Sequence, residues 1–413
     1  MKTKVDPIRL TMDMVAIPSY SYMDRQEEAI SQYILDFFLA HGVTAYRREI
    51  VPGRYNTFAI LEGTERETSP SLLLTGHMDT VPAYDFEKAF EPWEDEEYVY
   101  GRGTVDMKGQ LAAAMCAMVT LKESGTRLKG DLIFCGVADE EEAGIGTRSL
   151  IETGPEATYS VICEPTGLEI DLGQKGLEWI EVSFKGHKVH GGAQKEGVNA
   201  IMMAGRFLHK LETEYLPKLA QRTHPVLGQA TLNIGTITGG DQPSTVADHC
   251  SIRLDRRCLP SETIAQVYEE LQELIDQLHR EDPRFEAEIR DVFGGTTLPH
   301  IPFCTDPDSE VVKAAEKALR ASGMEPVLSC CPAWTDAGFL QAGTDSQCII
   351  LGPGDIATAH SVHERISKKQ IFMAKEIYQS MAMEISGYSG RVRCRIRFHE
   401  LRHTFATVAY RMV

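Results

Sequence analysis

Five stretches of the chain place histidine, aspartate or glutamate directly after short apolar runs. In LLLTGHMDTVP, His77 leaves such a run and Asp79 follows two residues on. GRGTVDMKGQ carries Asp106 among Gly101, Gly103 and Gly109, and VADEEEAG carries the four acids Asp139 to Glu142. VICEPTG carries Glu164, and LGPGDIATAHSVHERIS carries His360, His363 and Glu364 after a Gly-Pro-Gly turn. Two imidazoles with three carboxylates form a borderline-to-hard donor set, suited to zinc, cobalt or manganese. Two divalent cations would balance three carboxylates and one hydroxide, which makes a buried site feasible. A metal-bound imidazole needs an acceptor for its other nitrogen, and Asp79 is spaced to supply one for His77. No cysteine stands in these stretches at metal-ligand spacing, which argues against a structural zinc finger.

Each stretch also has a plainer reading. The His77–Asp79 pair fits a polar turn, Asp106 fits the N-cap of the helix that follows, and the acid run fits a solvated loop. The chemical reading rests on the set. All five sit where α/β folds gather their sites, at the carboxyl ends of strands.

The elements that must position them alternate. A helix is expected over Asp24–His41, with capping-box spacing between Asp24 and Glu27. Buried strands are expected at Thr57–Leu61, Leu72–Thr75, Leu132–Ala138 and Val161–Cys163, and a buried helix over Met107–Glu123. From Leu177 the pattern changes to strand, helix, strand, strand, helix, strand, ending near Val292, which is the ferredoxin-like order. A helix at Ser309–Ala321, a strand at Gln347–Leu351 and a helix at Lys368–Ile385 then resume the first style. The expected fold is α/β: a mixed central sheet flanked by helices, over 1–174 and 293–390, with an α+β domain inserted at 175–292.

The chain's 413 residues suit two or three domains at about 100–200 residues each. With 43% hydrophobic and 25% charged residues, the composition is that of a soluble globular protein. No apolar run is long enough for a membrane span, and Met1 to Leu10 contain no apolar secretory segment. The ten cysteines form no C-x-x-C pair, although Cys330 and Cys331 are adjacent. Reduced thiols in a cytoplasmic protein are therefore expected. The net charge of −18 disfavours nucleic acid as a partner. Residues 391–413 depart from this balance, with six arginines against the single acid Glu400.

Together the motifs GHMDTVP, GRGTVDMKG, ADEEEAG, EPT and GPG…AHSVHE resemble a zinc metallopeptidase and amidohydrolase family. That family holds acetylornithine deacetylase, succinyl-diaminopimelate desuccinylase, aminoacylase and glutamate carboxypeptidase. The resemblance runs from about Ile17-Pro18-Ser19 to Ile385. It implies two divalent metal ions, zinc first, with cobalt or manganese as alternatives. His77 and Glu164 would bind one ion, Glu141 and His360 the other, and Asp106 would bridge them. Asp79 would orient His77, and Glu140 would act as general base. The family usually has Asn or Asp where this chain has His363.

The inserted segment resembles the family's lid or dimerisation domain, through KVHGGAQKEGVNAI and LDRRCLP. His190 would then stabilise the oxyanion, Arg257 would hold a substrate carboxylate, and Asn233 would line the same cleft. The usual Pro of the His190 loop is absent. The implied reaction is metal-assisted hydrolysis of the amide of an N-acyl amino acid, by a homodimer formed through the lid domain. A di- or tripeptidase or carboxypeptidase activity is the alternative, and Thr335 and Asp336 would contact substrate or cap a helix. A binding protein on the same fold would lack the base or a ligand, and none is lacking here. The tail motif HELRHTFAT resembles one motif of the tyrosine recombinases, with His399, Arg402 and His403, but 23 residues cannot hold that catalytic domain. The tail reads as a fusion remnant.

Overall fold

The computed structural model describes residues 5–293 and 299–389, so the arginine-rich tail lies outside the described residues. The chain forms two compact units. Of the described residues, one takes 5–172, 305–329 and 343–389, and the other takes 173–293, 299–304 and 330–342.

In the first unit the sheet runs Thr44–Val51, Arg54–Leu61, Leu132–Val137, Leu72–His77, Tyr159–Ile162, Gln347–Ile350, Ile170–Gln174. The three interior pairings are parallel. Leu72 pairs with Leu132 and His77 with Val137, Leu72 also faces Tyr159, and Gln347 faces Tyr159. The two first strands are antiparallel, which makes the sheet mixed. Every residue of Leu72–His77 and of Leu132–Val137 is buried, as expected of parallel strands covered on both faces. Because four parallel strands end along one edge, their four following loops converge there. These loops carry His77, Asp139 to Glu142, Glu164 and His360.

The helix predicted from Met107 begins at Gly109 and runs to Ser124. It is buried on all sides and packs against Lys368–Ser386 and Pro7–Val15. Its alanines at 112–114 and 117 allow this close packing. The helix predicted from Asp24 begins instead at Glu28, and Glu27 makes no side-chain cap. The reason is electrostatic. Glu27 is fully buried and binds the guanidinium of Arg54 through both oxygens, so its carboxylate is not available to the helix end.

The second unit has the strand order Thr231–Gly239, His249–Cys258, Gly176–Lys185, Glu286–Asp291, all antiparallel. With helices Ala200–Lys210 and Ile264–Glu281 this is the predicted ferredoxin-like arrangement. Its core joins Ile180, Val182 and Phe184 to Phe207, Ile252, Leu254 and Leu271. Asn199 caps the first helix, and Thr263 forms a capping box with Gln266 on the second.

Phe38 and Phe134 are both fully buried, with ring centroids 5.1 Å apart, and join the Glu28–Ala40 helix to the sheet. Phe38→Ala should lower stability by about 3–5 kcal/mol, read from the urea midpoint of unfolding. A loss below about 1 kcal/mol would show that this contact does not hold the helix.

Candidate metal centre

The centre is organised around Asp106. The backbone leaves helical geometry at Asp106 and Met107, and the peptide bond between them is cis. Asp106 is therefore not the cap of the following helix, whose N-cap position is Lys108. Its two oxygens face two imidazoles. His77 Nε2 lies 2.9 Å from Oδ1, and His360 Nε2 lies 3.0 Å from Oδ2. Glu141 Oε1 is 3.2 Å from His360 Nε2, and Glu164 Oε1 is 3.7 Å from His77 Nε2. Ligand atoms of His77, Asp106 and Glu141 all fall within 4.8 Å of one another.

The approach is tight. A Cβ at Gly76 would lie 2.2 Å from the Met107 side chain, so only glycine lets Met107 pack beneath His77. The His77 amide meets the Met107 sulfur at 3.1 Å. His77 is fixed from its far side as well, since its Nδ1 lies 2.9 Å from the backbone carbonyl of Asp79 and 3.6 Å from that residue's carboxylate. The Asp79 carboxylate accepts the amides of Glu140 and Glu141 at 3.2 and 3.1 Å. It thereby ties the acid loop to the His77 loop.

The acid run resolves into separate tasks. Asp139, at φ 69°, turns away to Arg54 at 2.7 Å. Glu141 points at His360, and Glu142 meets the Tyr22 hydroxyl. Arg54 was not identified from the sequence, because nothing near position 54 marks it as the counter-ion of a loop more than eighty residues away.

The electrostatics follow from burial and charge. Burial opposes protonation of His77, but hydrogen bonds to Asp106 and Asp79 outweigh it and raise its pKa well above the ordinary imidazole value. Contacts with Asp106 and Glu141 push His360 up to about 10. Burial raises the Asp106 pKa, yet the two imidazoles win and hold it well below the usual carboxylate range. Glu141 is pushed up, first by burial and then by the Asp106 charge. These are the marks of a site that demands positive charge.

The remaining expected residues belong to the second unit. His190 follows a strand and its Nδ1 accepts the Gly192 amide at 3.1 Å, which leaves the proton on Nε2. Asn233 and Arg257 share one face of the sheet. Asn233 is paired with Asp255 across the strands, and Arg257 donates to Asp255 at 2.7 and 3.1 Å. Thr335 is buried and caps Ala337–Gly343 through the Ala337 amide, while also bonding Gln174. His363, in the first unit, is exposed.

Among the described residues, no helix is long and apolar enough to cross a membrane. The chain is 30% identical over 391 residues to N-formyl-4-amino-5-aminomethyl-2-methylpyrimidine deformylase of Halalkalibacterium halodurans, covering 88% of this chain and 91% of that one. It is 28% identical over 390 residues to acetylornithine deacetylase of Myxococcus xanthus, covering 91% and 97%. Its fold matches that of aminopeptidase PepT from Bacillus cereus with a TM-score of 0.77 at 21% identity, covering 93% and 99%. The model of peptidase family M20/M25/M40 matches residues 73–384, a span that holds the centre from His77 to Glu364. The chain belongs to peptidase family M20/M25/M40.

Proposed function

We propose that this hydrolase cleaves the amide bond of small N-acyl amino acids, using two divalent cations held by His77, Asp106, Glu141, Glu164 and His360. One observation carries the reading: a single partly buried carboxylate, Asp106, presents its two oxygens to imidazoles from two separate loops. The donor set fits the group. Both imidazoles offer Nε2, and each faces carboxylate oxygens of two acids. Zinc suits these donors, with cobalt or manganese as alternatives. When bound, such cations polarise the scissile carbonyl and lower the pKa of a water toward neutrality.

The chain's own residues do the rest. Glu140 takes the proton of the attacking water and returns it to the leaving amine. Asp79 holds the Glu140 amide, which fixes the base relative to Glu141. His190, with its proton on Nε2, is suited to donate to an oxyanion, a contribution typically worth ~10²–10³ in rate. Arg257 and Asn233 are assigned to a free carboxylate of the substrate. Both relatives named above remove a small acyl group from an amine, which favours deacylation over peptide cleavage.

The test pairs metal analysis with a substrate panel: N-acetylornithine, N-succinyl-diaminopimelate, N-acetylmethionine, an N-formyl aminomethylpyrimidine, and Gly- and Ala-containing dipeptides. Chelator-sensitive release of an acyl group from one member, with about two metals per chain, is expected. Cleavage confined to the dipeptides would replace the deacylase reading with a peptidase one. Glu140→Ala should cut turnover by at least ~10²-fold while leaving metal content unchanged. A variant that kept wild-type rates would remove Glu140 from the mechanism.

A homodimer through the second unit is part of the proposal. Thr231–Gly239 is an edge strand with most of its residues exposed. A bulge between Ile234 and Thr236 keeps Ile234 and Ile237 on the face of buried Leu254 and Ile252, yet both isoleucines are exposed. Ile201 and Met202 of the adjoining helix are exposed too. An unpaired edge with an uncovered apolar face suits a second copy of the same chain. Light scattering should give a dimer mass for the wild type and a monomer mass for Ile237→Lys with Met202→Lys. A monomeric wild type would end this part of the reading.

A further inference from the structure

Glu364 lies four residues beyond His360 and is not among the proposed ligands, yet it is completely buried. Its Oε1 accepts the amides of Gly103 at 2.8 Å and Val105 at 3.2 Å. Its Oε2 binds the guanidinium of Arg102, which is 1% exposed. Arg102 also donates to the carbonyls of Pro82, at 3.2 Å, and Ser361, at 3.5 Å. The Gly101 amide donates to the Glu364 carbonyl at 3.4 Å. The segment before Asp106 is thus bonded at several points to the segment after His360.

The strand Arg365–Ser367 also pairs with Tyr98–Tyr100 just beyond these bonds, and Gln110 donates to the carbonyls of Val105 and Pro353. Gly103 has a φ of 84° and His360 one of 58°, so each loop turns through the left-handed region next to its ligand. Asp106 is one residue past Val105, and His360 is held in a short turn where Ser361 donates to the Thr358 carbonyl at 2.8 Å. The other side of the centre is anchored differently. His77 is the last residue of a fully buried strand, and Glu164 follows the strand Tyr159–Ile162. The sheet itself places those two.

We propose that Glu364, with Arg102, is a positioning residue that locks the Asp106 loop to the His360 loop and so controls filling of the Glu141–His360 cation site more strongly than that of the His77–Glu164 site, Asp106 being shared by both. The proposal rests on the two-cation reading above. A negative charge and an oxygen that accepts two backbone amides are both needed. The charge neutralises a buried guanidinium, and the accepted amides set where the Asp106 backbone runs.

The experiment counts cations bound to the purified full chain by equilibrium dialysis against zinc, and separately against cobalt with its absorption spectrum, with circular dichroism confirming the fold. Wild type, Glu364→Gln and the double variant Arg102→Met with Glu364→Leu are compared. The double variant removes the buried charges together, so it should fold even if the single variant does not. The expected result is two cations on the wild type. In each variant one cation stays within about threefold of wild-type affinity while the other weakens ~10–100-fold, the usual size of losing a supporting partner. Both cations bound with wild-type affinity in the variants, or both weakened equally, would overturn the proposal. A wild type that binds fewer than two cations would instead overturn the two-cation reading, and this proposal with it.

Discussion

One carboxylate set between two imidazoles is the constraint on which the first unit depends. Asp106, His77 and His360 come from three stretches of the sequence, and their ring and carboxyl atoms converge to about hydrogen-bond distance. Such a cluster carries excess negative charge in a low-dielectric setting, where unpaired charge is costly. The surrounding structure answers this by sorting each acid to a partner. Arg54 takes Glu27 and Asp139, Arg102 takes Glu364, and the Glu140 and Glu141 amides take Asp79. What remains for the centre is the donor set that suits divalent cations.

This division of labour explains why the acid loop works as a loop at all. Four consecutive carboxylates would repel one another if they shared one direction. The left-handed turn at Asp139 sends the first to Arg54, while Glu141 meets His360 and Glu142 meets the Tyr22 hydroxyl. The parallel strands supply the common edge, and the long-range network supplies the orientation.

Much of this was legible in the amino-acid sequence, for identifiable reasons. Leu72–His77 and Leu132–Val137 are continuous apolar runs because both their faces are covered, so they stood out at once. In the structure a capping box between Thr263 and Gln266 starts the long second-unit helix. The same rule misplaced the first helix, because Glu27 serves Arg54 and the pattern of spacing carries no information about a distant partner. Asp106 was readable as a candidate but equally as a cap, and only the non-helical backbone at 106 and 107 separates the two. Arg54 and Arg102 were invisible as contributors, since a buried cation is recognised by the carboxylate it meets rather than by its neighbours in sequence.

The helix Gly109–Ser124 has no solvent face, and its longest companion is Lys368–Ser386, near the end of the described chain. The strand Gln347–Ile350 likewise inserts beside Tyr159–Ile162 only after the whole second unit has been made. During synthesis from the amino terminus, the second unit therefore emerges complete while the first still exposes an apolar helix and an open strand edge. The ribosome would release a finished insert inside an unfinished host. Over that interval the apolar helix and the open strand edge are the aggregation-exposed surfaces of the nascent chain.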